Sequence, residues 1–404
     1  MDRRKVFELG RKNMKVAIVL GRGIEGCGVT KYTVELERWL LNNSYNPTIY
    51  ASKDKKWSRN DAHKIKNLVH VRFDKDSFDE VYEGCRSSDI IIFNSLPSIG
   101  HSKKCQDNFA KLLNLSVCKI LIQHDHNKSS LKRNALLQDS YEKSDILFAH
   151  STTGDFADMV NTPNLFDMRD RKINLMQPGI SFVDYEKYYK PISEQDKNHH
   201  KWIGRTARWK GYDLMFNFHN NYLKDLNQLT TLEGIEKSPA FIEFKNEYEF
   251  YDELGQSPED IDYQERYGEK PTVFSQYVNS ELLDRLSKCG FGYQLSILDN
   301  RFIEKSLEFT HLEIVAVGAI PIFRKEYGDA CIHRYFDKPL TELDSGTIWL
   351  SNKNMEECKK VIDKLLNDDI MRDEYRKKAK QVYSYYDSSY VFNDMFNFIN
   401  GQTW

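Results

Sequence analysis

The sequence predicts an α/β protein with two Rossmann-like, doubly wound domains, and three observations support this fold class. Short apolar runs recur along the chain of 404 residues. Segments with helical spacing of apolar residues separate these runs, as in a series of βαβ units. A polar segment that begins at Pro191 divides the series into two halves. Each half is therefore expected to form a parallel sheet covered by helices.

Four apolar runs predict strands of the first domain, and each run ends at a small or polar residue. They are residues 15–20, 89–93, 117–123 and 145–149. Helical spacing appears over residues 30–41 and 106–115. We expect one sheet within residues 14–190, preceded by an N-terminal extension, residues 1–13, to which the sequence assigns no role.

A second series of apolar runs predicts the other domain, residues 191–375. Residues 191–200 are polar and begin with proline, so they are interpreted as the linker. Five runs that follow predict strands: residues 201–204, 229–234, 291–295, 320–323 and 347–350. Residues 355–386 have the pattern of two charged amphipathic helices.

Composition excludes several classes of protein. No apolar window is long enough for a membrane span, and the N-terminus has no apolar core of a signal peptide. The seven cysteines are odd in number and contain no C-x-x-C pair, which argues against a disulfide framework and a cysteine zinc site. Such a number and spacing of cysteines is typical of a protein that stays in a reducing cytoplasm. The net charge is −2, so any nucleic-acid-binding surface must be a local basic patch.

Acidic and basic residues in the second half suggest a site for a nucleotide sugar. Arg205 and Lys210 follow the first strand of this half, where they can bind a diphosphate. Glu313 begins a helical turn that Gly318 ends, and its carboxylate can accept the two hydroxyls of a ribose. Glu308 lies about one turn earlier and could face the sugar or its phosphate. Solvated surface charges are the alternative for each of these residues.

A glycine-rich loop, residues 21–31, follows the first strand. Glycines such as Gly26 and Gly28 let backbone N–H groups approach a ligand at the start of a helix. Val29 stands where a Walker A loop requires lysine, and the dinucleotide fingerprint fits only loosely. The loop therefore either contacts the donor phosphate or sugar, or is a plain strand-to-helix turn.

His124 and Asp125 follow a buried strand and are the catalytic candidates. Side chains at the carboxyl edge of such a sheet meet ligands. Asp125 could act on an acceptor hydroxyl, and His124 could bond to the sugar or stabilise developing charge. The alternatives are a simple cap of the next helix, or a metal site with His126 and His150 whose ligand set would be incomplete. The D-x-D triplets at 74–76 and 260–262 are not where a donor metal site would lie.

Two basic clusters predict contacts with a polyanionic acceptor. One lies within residues 53–59, with Trp57 available for stacking, and the other follows the His-Asp-His motif. Their members are Lys55, Lys56, Arg59, Lys128, Lys132 and Arg133. Such residues would contact phosphates and position a duplex. Either cluster alone is also typical of a solvated loop.

The sequence resembles the DNA α-glucosyltransferases of T-even bacteriophages from about residue 14 to near the C-terminus. Segments 23–31, 123–126, 202–206, 209–211, 238–242, 290–296 and 306–313 carry the resemblance. The resemblance implies the GT-B fold, in which two Rossmann-like domains face a central cleft. It also implies that the C-terminal helix, residues 376–404, crosses back to the first domain.

The resemblance implies an enzyme that transfers glucose from UDP-glucose to 5-hydroxymethylcytosine in duplex DNA, with retention at the anomeric carbon. Such DNA modification serves restriction evasion in the cytoplasm of an infected bacterial host. UDP-glucose is the donor substrate, and no metal, other cofactor or membrane is expected. The alternatives are another UDP-sugar, such as a pentose like arabinose, or an acceptor other than DNA. Residues 155–175 and 244–270 look divergent.

The predicted catalytic residues are His124 and Asp125. The predicted donor-binding residues are Gly26, Gly28, Arg205, Lys210, Glu233, Gly292, Tyr293, Glu308 and Glu313. Among these, the resemblance assigns donor binding to Arg205, Lys210, Glu308 and Glu313. The remaining residues are predicted from their places in the loop and strand segments.

Overall fold

The chain forms two compact units in the computed structural model. The structure describes residues 13–21, 28–52, 65–75, 77–96, 102–124, 135–150, 173–203, 210–223, 226, 228–235, 272–274, 279–297 and 305–401. The first unit comprises residues 1–179, 300–306 and 386–404, and the second comprises 180–299 and 307–385. The predicted domain boundaries at residues 190 and 375 differ from these unit boundaries, at 179 and 385.

The first unit is built on a parallel sheet of seven strands in the order β3-β2-β1-β4-β5-β6-β7. The strands are β1 (Lys15–Leu20), β2 (Asn46–Ser52), β3 (Leu68–Val71), β4 (Ile90–Ser95), β5 (Cys118–Gln123), β6 (Ile146–Ala149) and β7 (Ile173–Leu175). Every pairing between neighbours is parallel. β1 and β4 lie in the middle and are almost wholly buried, which is why their sequences are apolar on both faces.

Four helices among the described residues lie between these strands. They are α1 (Gly28–Asn42), α2 (Phe78–Arg86), α3 (Lys103–Leu113) and α4 (Ala135–Lys143). α3 starts where the Ser102 hydroxyl accepts a hydrogen bond from the Cys105 N–H. Phe109 of α3 packs against Phe73 and Phe93 in the buried core of the sheet. The helices expected over residues 30–41 and 106–115 are therefore confirmed as α1 and α3.

The second unit contains a parallel sheet of six strands in the order β10-β9-β8-β11-β12-β13. The strands are β8 (Asp196–Ile203), β9 (Leu229–Ile235), β10 (Thr272–Phe274), β11 (Cys289–Gln294), β12 (Ile320–Arg324) and β13 (Ile348–Leu350). All pairings are parallel. The five strands expected in this half are confirmed as β8, β9, β11, β12 and β13.

The interpretation of residues 191–200 as a linker is wrong for its second half. β8 begins at Asp196, which pairs with Cys289 of β11. Asp196, Lys197 and Asn198 are exposed although they belong to the strand, and burial starts only after His199. A polar sequence is compatible with a strand whose first residues face solvent, so composition alone could not distinguish this segment from a linker.

The helices of the second unit lie between and after its strands. They are α5 (Phe182–Tyr185), α6 (Tyr212–Phe218), α7 (Asn279–Ser287), α8 (Phe309–Ala316), α9 (Lys325–Ala330), α10 (Met355–Asn367) and α11 (Asp369–Tyr383). The last two confirm the amphipathic helices expected over residues 355–386. Asp368 lies between them, and its side chain caps α11 by accepting from the Met371 N–H.

The final helix, α12 (Ser388–Ile399), belongs to the first unit and packs against α1. The Trp39 ring stacks on Phe396 with centroids 4.6 Å apart, and its indole N–H donates to Asn393 Oδ1 at 3.1 Å. The Tyr32 hydroxyl lies 3.4 Å from Met395 Sδ. These paired aromatic and polar contacts fix α12 on α1 with a defined register.

Two bulk features accompany this fold. No helix among the described residues is long and apolar enough to cross a membrane. The six cysteines within the described part of the chain form no disulfide bond, and five of them are buried. Their role is therefore packing, in agreement with the absence of cysteine pairs in the sequence.

Candidate active site

The carboxyl edge of the second sheet collects the candidate donor-binding residues. Gln294 ends β11 and pairs with Phe323 of β12. Glu233 of β9 pairs with Ile203, the last residue of β8. Segments that follow these strands emerge at this edge, which is where ligands bind in doubly wound sheets.

Four side chains at this edge form a closed set of hydrogen bonds, here called the donor cluster: Lys210, Gln294, Ser296 and Glu308. The Lys210 ammonium donates to Glu308 Oε2 at 2.5 Å and to Ser296 Oγ at 3.3 Å. Gln294 Nε2 also donates to Glu308 Oε2, at 2.6 Å. Gln294 Oε1 accepts from the Ser296 hydroxyl at 3.1 Å and from the Ser296 N–H at 3.2 Å. Two donors therefore converge on one carboxylate oxygen, and the orientation of the Gln294 amide is fixed.

The backbone of Lys210 is held by a hydrogen bond from Trp202 and by the close packing of the next residue, Gly211. The Lys210 carbonyl accepts from the indole N–H of Trp202, a fully buried residue of β8, at 3.4 Å. Gly211 has φ +68°, and a Cβ there would lie 1.9 Å from the Leu295 carbonyl oxygen. Only glycine allows this close approach in a left-handed conformation. The Lys210 side chain is 20% exposed, so the anchored ammonium is still reachable from solvent.

Glu308 immediately precedes α8 and supplies negative charge near the helix N-terminus. The Glu308 N–H donates to His311 Nδ1 at 3.1 Å, which closes the first turn. Because α8 starts at Phe309, Glu313 lies inside the helix rather than at the beginning of a turn. Glu313 is 1% exposed, and its Oε1 lies 3.3 Å from the Tyr185 hydroxyl. A ribose could reach this carboxylate only after that contact opened.

Gly292 and Tyr293, both predicted to bind the donor, have packing roles in β11. A Cβ at Gly292 would lie 2.8 Å from Ile314 Cγ2, so glycine permits α8 to approach the sheet closely. Tyr293 is fully buried in the core, and its hydroxyl is 2.9 Å from His200 Nδ1. Burial lowers the pKa of His200 to about 3 and raises the pKa of Tyr293. Both groups are therefore neutral parts of the core.

Several predicted site residues lie outside the described residues. These are Gly26, Asp125 and Arg205 with all six basic candidates, Lys55, Lys56, Arg59, Lys128, Lys132 and Arg133. Glu233 is described through its backbone in β9 but not through its side chain. Gly28 is the first residue of α1 and is exposed. Their roles stay predictions.

In the first unit, His124 directly follows β5 at the carboxyl edge of the sheet. Its Nε2 lies 2.8 Å from Asn94 Oδ1, and Asn94 is a fully buried residue of β4. The Tyr32 ring from α1 meets the His124 ring edge-on, with centroids 5.4 Å apart. Burial raises the pKa of Tyr32, so this neighbour stays neutral. The imidazole is thus held from two elements.

The alternative metal site includes His126, which lies outside the described residues, so this alternative stays a prediction. The described residues contain no group of three His, Cys, Asp or Glu side chains that could hold a metal ion. His150 Nδ1 is instead bonded to the Ser306 hydroxyl. Asp74, in one D-x-D triplet, lies 3.5 Å from Arg72, and the other triplet lies outside the described residues.

The sequence did not single out Gln294, Ser296 or Asn94 as site residues. Each is a neutral polar residue at the end of an apolar strand. Their partners are distant in sequence, since Gln294 bonds to Glu308 and Asn94 bonds to His124. A buried polar residue at the carboxyl end of a parallel strand is the signal that could have identified them.

The family model described as "AGT: DNA alpha-glucosyltransferase" matches residues 27–370 of this chain. The DNA alpha-glucosyltransferase of Enterobacteria phage T4 is 36% identical over 403 residues, which cover 96% of this chain and all of that protein. A solved alpha-glucosyltransferase in complex with UDP-glucose and DNA containing an abasic site is 35% identical. It covers 96% of this chain and 100% of its own, with a TM-score of 0.82.

A further solved alpha-glucosyltransferase, in complex with UDP and a 13-mer DNA containing a HMU base, is 34% identical and has a TM-score of 0.82. It covers 96% of this chain and 99% of its own. Anabaena HepE in complex with UDP and glucose has a TM-score of 0.64 at 11% identity, covering 96% of this chain and 100% of its own. That likeness shows the shared fold alone. The fold is GT-B, and the chain belongs to the DNA alpha-glucosyltransferase family.

Proposed function

We propose that this protein transfers glucose from UDP-glucose to the hydroxymethyl group of 5-hydroxymethylcytosine in duplex DNA, forming an α-linkage. The observation that carries the proposal is the full-length match to the T4 enzyme. Solved relatives in complex with UDP-glucose and with DNA support the same donor and acceptor classes. The acceptor reaction takes place in the cytoplasm of the infected host, where the phage DNA is made.

The donor cluster supports the donor half of the proposal. Lys210 presents an ammonium group from a backbone position that Trp202 and Gly211 hold. In our proposal it binds the diphosphate of UDP-glucose, together with Arg205. Negative charge grows on the β-phosphate as the bond to glucose breaks, and a fixed cation there lowers the barrier. Glu308 and Gln294 keep the ammonium in place before the donor arrives.

His124 and Asp125 act on the acceptor side in this proposal. The bond between the anomeric carbon and the β-phosphate oxygen breaks, and the hydroxymethyl oxygen forms the new bond on the same face. The hydroxyl proton passes to the departing phosphate or to Asp125. His124 bonds to the sugar and stabilises charge at the reacting centre. Same-face replacement retains the anomeric configuration.

The base has to leave the duplex stack to reach these groups. The predicted contacts from Lys55, Lys56, Arg59, Lys128, Lys132 and Arg133 would bind phosphates around it. Phosphate binding of this kind depends steeply on salt concentration. Activity on DNA is therefore expected to decline as salt is raised, through the Michaelis constant for DNA.

The test is mass spectrometry of nucleosides from duplex 5-hydroxymethylcytosine DNA incubated with the protein and UDP-glucose. A nucleoside heavier by one glucosyl residue, with an α-linkage by NMR, is expected. Parallel reactions with UDP-arabinose and with unmodified cytosine DNA are the controls. Modification only with the pentose donor would contradict the glucose assignment, and turnover that requires no DNA would contradict the acceptor.

A further inference from the structure

A chain of hydrogen bonds, in which the bond between Thr33 and Asn94 is buried and the others are partly buried, connects the start of α1 to His124. The Thr33 hydroxyl lies 2.9 Å from the Val29 carbonyl. Asn94 Nδ2 lies 2.8 Å from Thr33 Oγ1 and 3.4 Å from the Val29 carbonyl. Asn94 Oδ1 lies 2.8 Å from His124 Nε2. We call Val29, Thr33, Asn94 and His124 the His124 relay.

The direction of every bond in the His124 relay follows from its first member. A backbone carbonyl can only accept, so the Thr33 hydroxyl must donate to Val29. Thr33 Oγ1 then accepts from the Asn94 amide, whose nitrogen also faces the Val29 carbonyl. The Asn94 carbonyl oxygen is therefore the atom that faces His124. An oxygen at this position can only accept, so His124 Nε2 must carry a proton.

We propose that Asn94 is a positioning residue that holds His124 as the Nε2–H tautomer, which makes Nδ1 its basic nitrogen. The role of His124 in turnover rests on the proposed function, whereas its tautomer rests on the His124 relay alone. Thr33 and Asn94 are fully buried, so water does not compete for the bond between their side chains. In a histidine that takes part in catalysis, the hydrogen bond made by one ring nitrogen commonly determines whether the other ring nitrogen carries a proton.

The relay also ties the imidazole to the glycine loop. Val29 is the second residue of α1, directly after Gly28. Tyr32, one residue before Thr33, supports the ring from its edge. Its pKa is raised by burial, so it adds no charge that would compete with Asn94.

The first experiment measures the His124 tautomer by ¹H–¹⁵N correlation spectra of the full-length protein near pH 8, with His124→Gln for assignment. A proton on Nε2 is expected in the wild type, and a mixture of tautomers in Asn94→Leu. A wild-type proton on Nδ1 would overturn the proposal, whatever the protein catalyses. This outcome does not depend on the DNA reaction.

The second experiment measures kinetics with UDP-glucose and 5-hydroxymethylcytosine DNA. Asn94→Leu should lower kcat about tenfold to a hundredfold through loss of orientation, with the KM for UDP-glucose unchanged. Asn94→Asp keeps the accepting oxygen and adds negative charge, which favours the imidazolium and raises the pKa of His124. It should retain more activity than Asn94→Leu, and any pH limb due to His124 should move to higher pH.

Asn108→Leu is the matched control, because Asn108 is a buried asparagine of the same unit whose amide donates to the Phe73 carbonyl at 2.7 Å. It should lose stability without losing kcat. Equal losses of kcat in Asn94→Leu and Asn108→Leu would overturn the positioning role. If Asn94→Leu does not fold, Thr33→Val removes one bond of the relay, and Thr33→Ser should restore the wild-type kcat. Inactive wild type with the expected tautomer would contradict only the proposed function.

Discussion

The carboxyl edges of the two sheets hold their polar side chains by different physical means. In the first unit, Thr33, Asn94 and His124 form a hydrogen-bonded chain in which Thr33 and Asn94 are fully buried. In the second unit, Lys210 and Glu308 form an ion pair whose side chains are 20% and 18% exposed. The hydrogen-bonded chain determines an orientation, because each bond has one possible direction. The ion pair instead keeps a charge accessible to an incoming anion.

This difference agrees with the two parts of the proposed reaction. A diphosphate binds through charge, and a partly solvated ammonium can exchange its partner for a phosphate at modest cost. A group that acts on a sugar or a hydroxyl needs a defined proton position, which buried hydrogen bonds provide. Substitutions in the second unit should therefore affect donor binding, and substitutions in the His124 relay should affect turnover.

Lys210→Met should have the largest effect in the second unit. Loss of the ammonium should lower kcat/KM for UDP-glucose about a hundredfold or more, because charge on the leaving diphosphate is no longer compensated. Steady-state kinetics with saturating DNA measure this. Lys288→Met is the matched control, since Lys288 forms an exposed ion pair with Asp284 at 2.7 Å in the same unit. Equal losses in both variants would contradict the assignment of Lys210.

Gln294→Leu should have a smaller effect of the same kind. Without the Gln294 amide, Glu308 keeps Lys210 but loses its second donor, so the KM for UDP-glucose should rise about tenfold. The kcat should change little. Gln195→Leu serves as the control. Gln195 is a buried glutamine directly before β8, at the opposite edge of the second sheet, and its amide donates to the Ser287 and Gly318 carbonyls. A fall in kcat with unchanged KM would contradict the proposal that the edge of the second sheet affects donor binding and that the His124 relay affects turnover.

His200→Gln should have the smallest effect, and it concerns stability. The folded protein leaves His200 neutral down to about pH 3, whereas the unfolded chain protonates it below pH 6.5. Protons therefore favour the unfolded chain. As the pH falls from about 6.5 to about 3, His200 lowers the free energy of unfolding by about 1.4 kcal/mol for each pH unit. Urea unfolding at pH 7 and pH 5.5 should show a smaller acid loss in the variant than in the wild type.

The outcome that contradicts this prediction is an acid loss of equal size in both proteins. His199 remains in both, and burial lowers its pKa to about 4, so a residual dependence on pH is expected. Hydrogen exchange at the two pH values would show whether the second sheet is where the change occurs. Amides of β8 and β11 report on it, because His200 stacks on Phe291.

Periodicity was sufficient to predict most of the fold. The apolar runs of β1, β4, β5 and β12 are continuous because both faces of these strands are buried. It failed at Asp196, Lys197 and Asn198, because the exposed start of β8 has the composition of a linker. For the site, charge predicted Lys210 and Glu308, whereas the place in a strand segment predicted Tyr293, which the structure buries in the core.

The sequence by itself determined the family, and its charged residues predicted that the second half of the protein binds the nucleotide sugar. Only the tertiary structure showed that Gln294 and Ser296 complete the donor cluster and that Asn94 faces His124. The reason is that the role of a neutral polar side chain cannot be assigned from the sequence, because it depends on the hydrogen-bond partner that the fold places beside it. These partners are brought together by parallel strands that are far apart along the chain but adjacent at the carboxyl edge of a sheet.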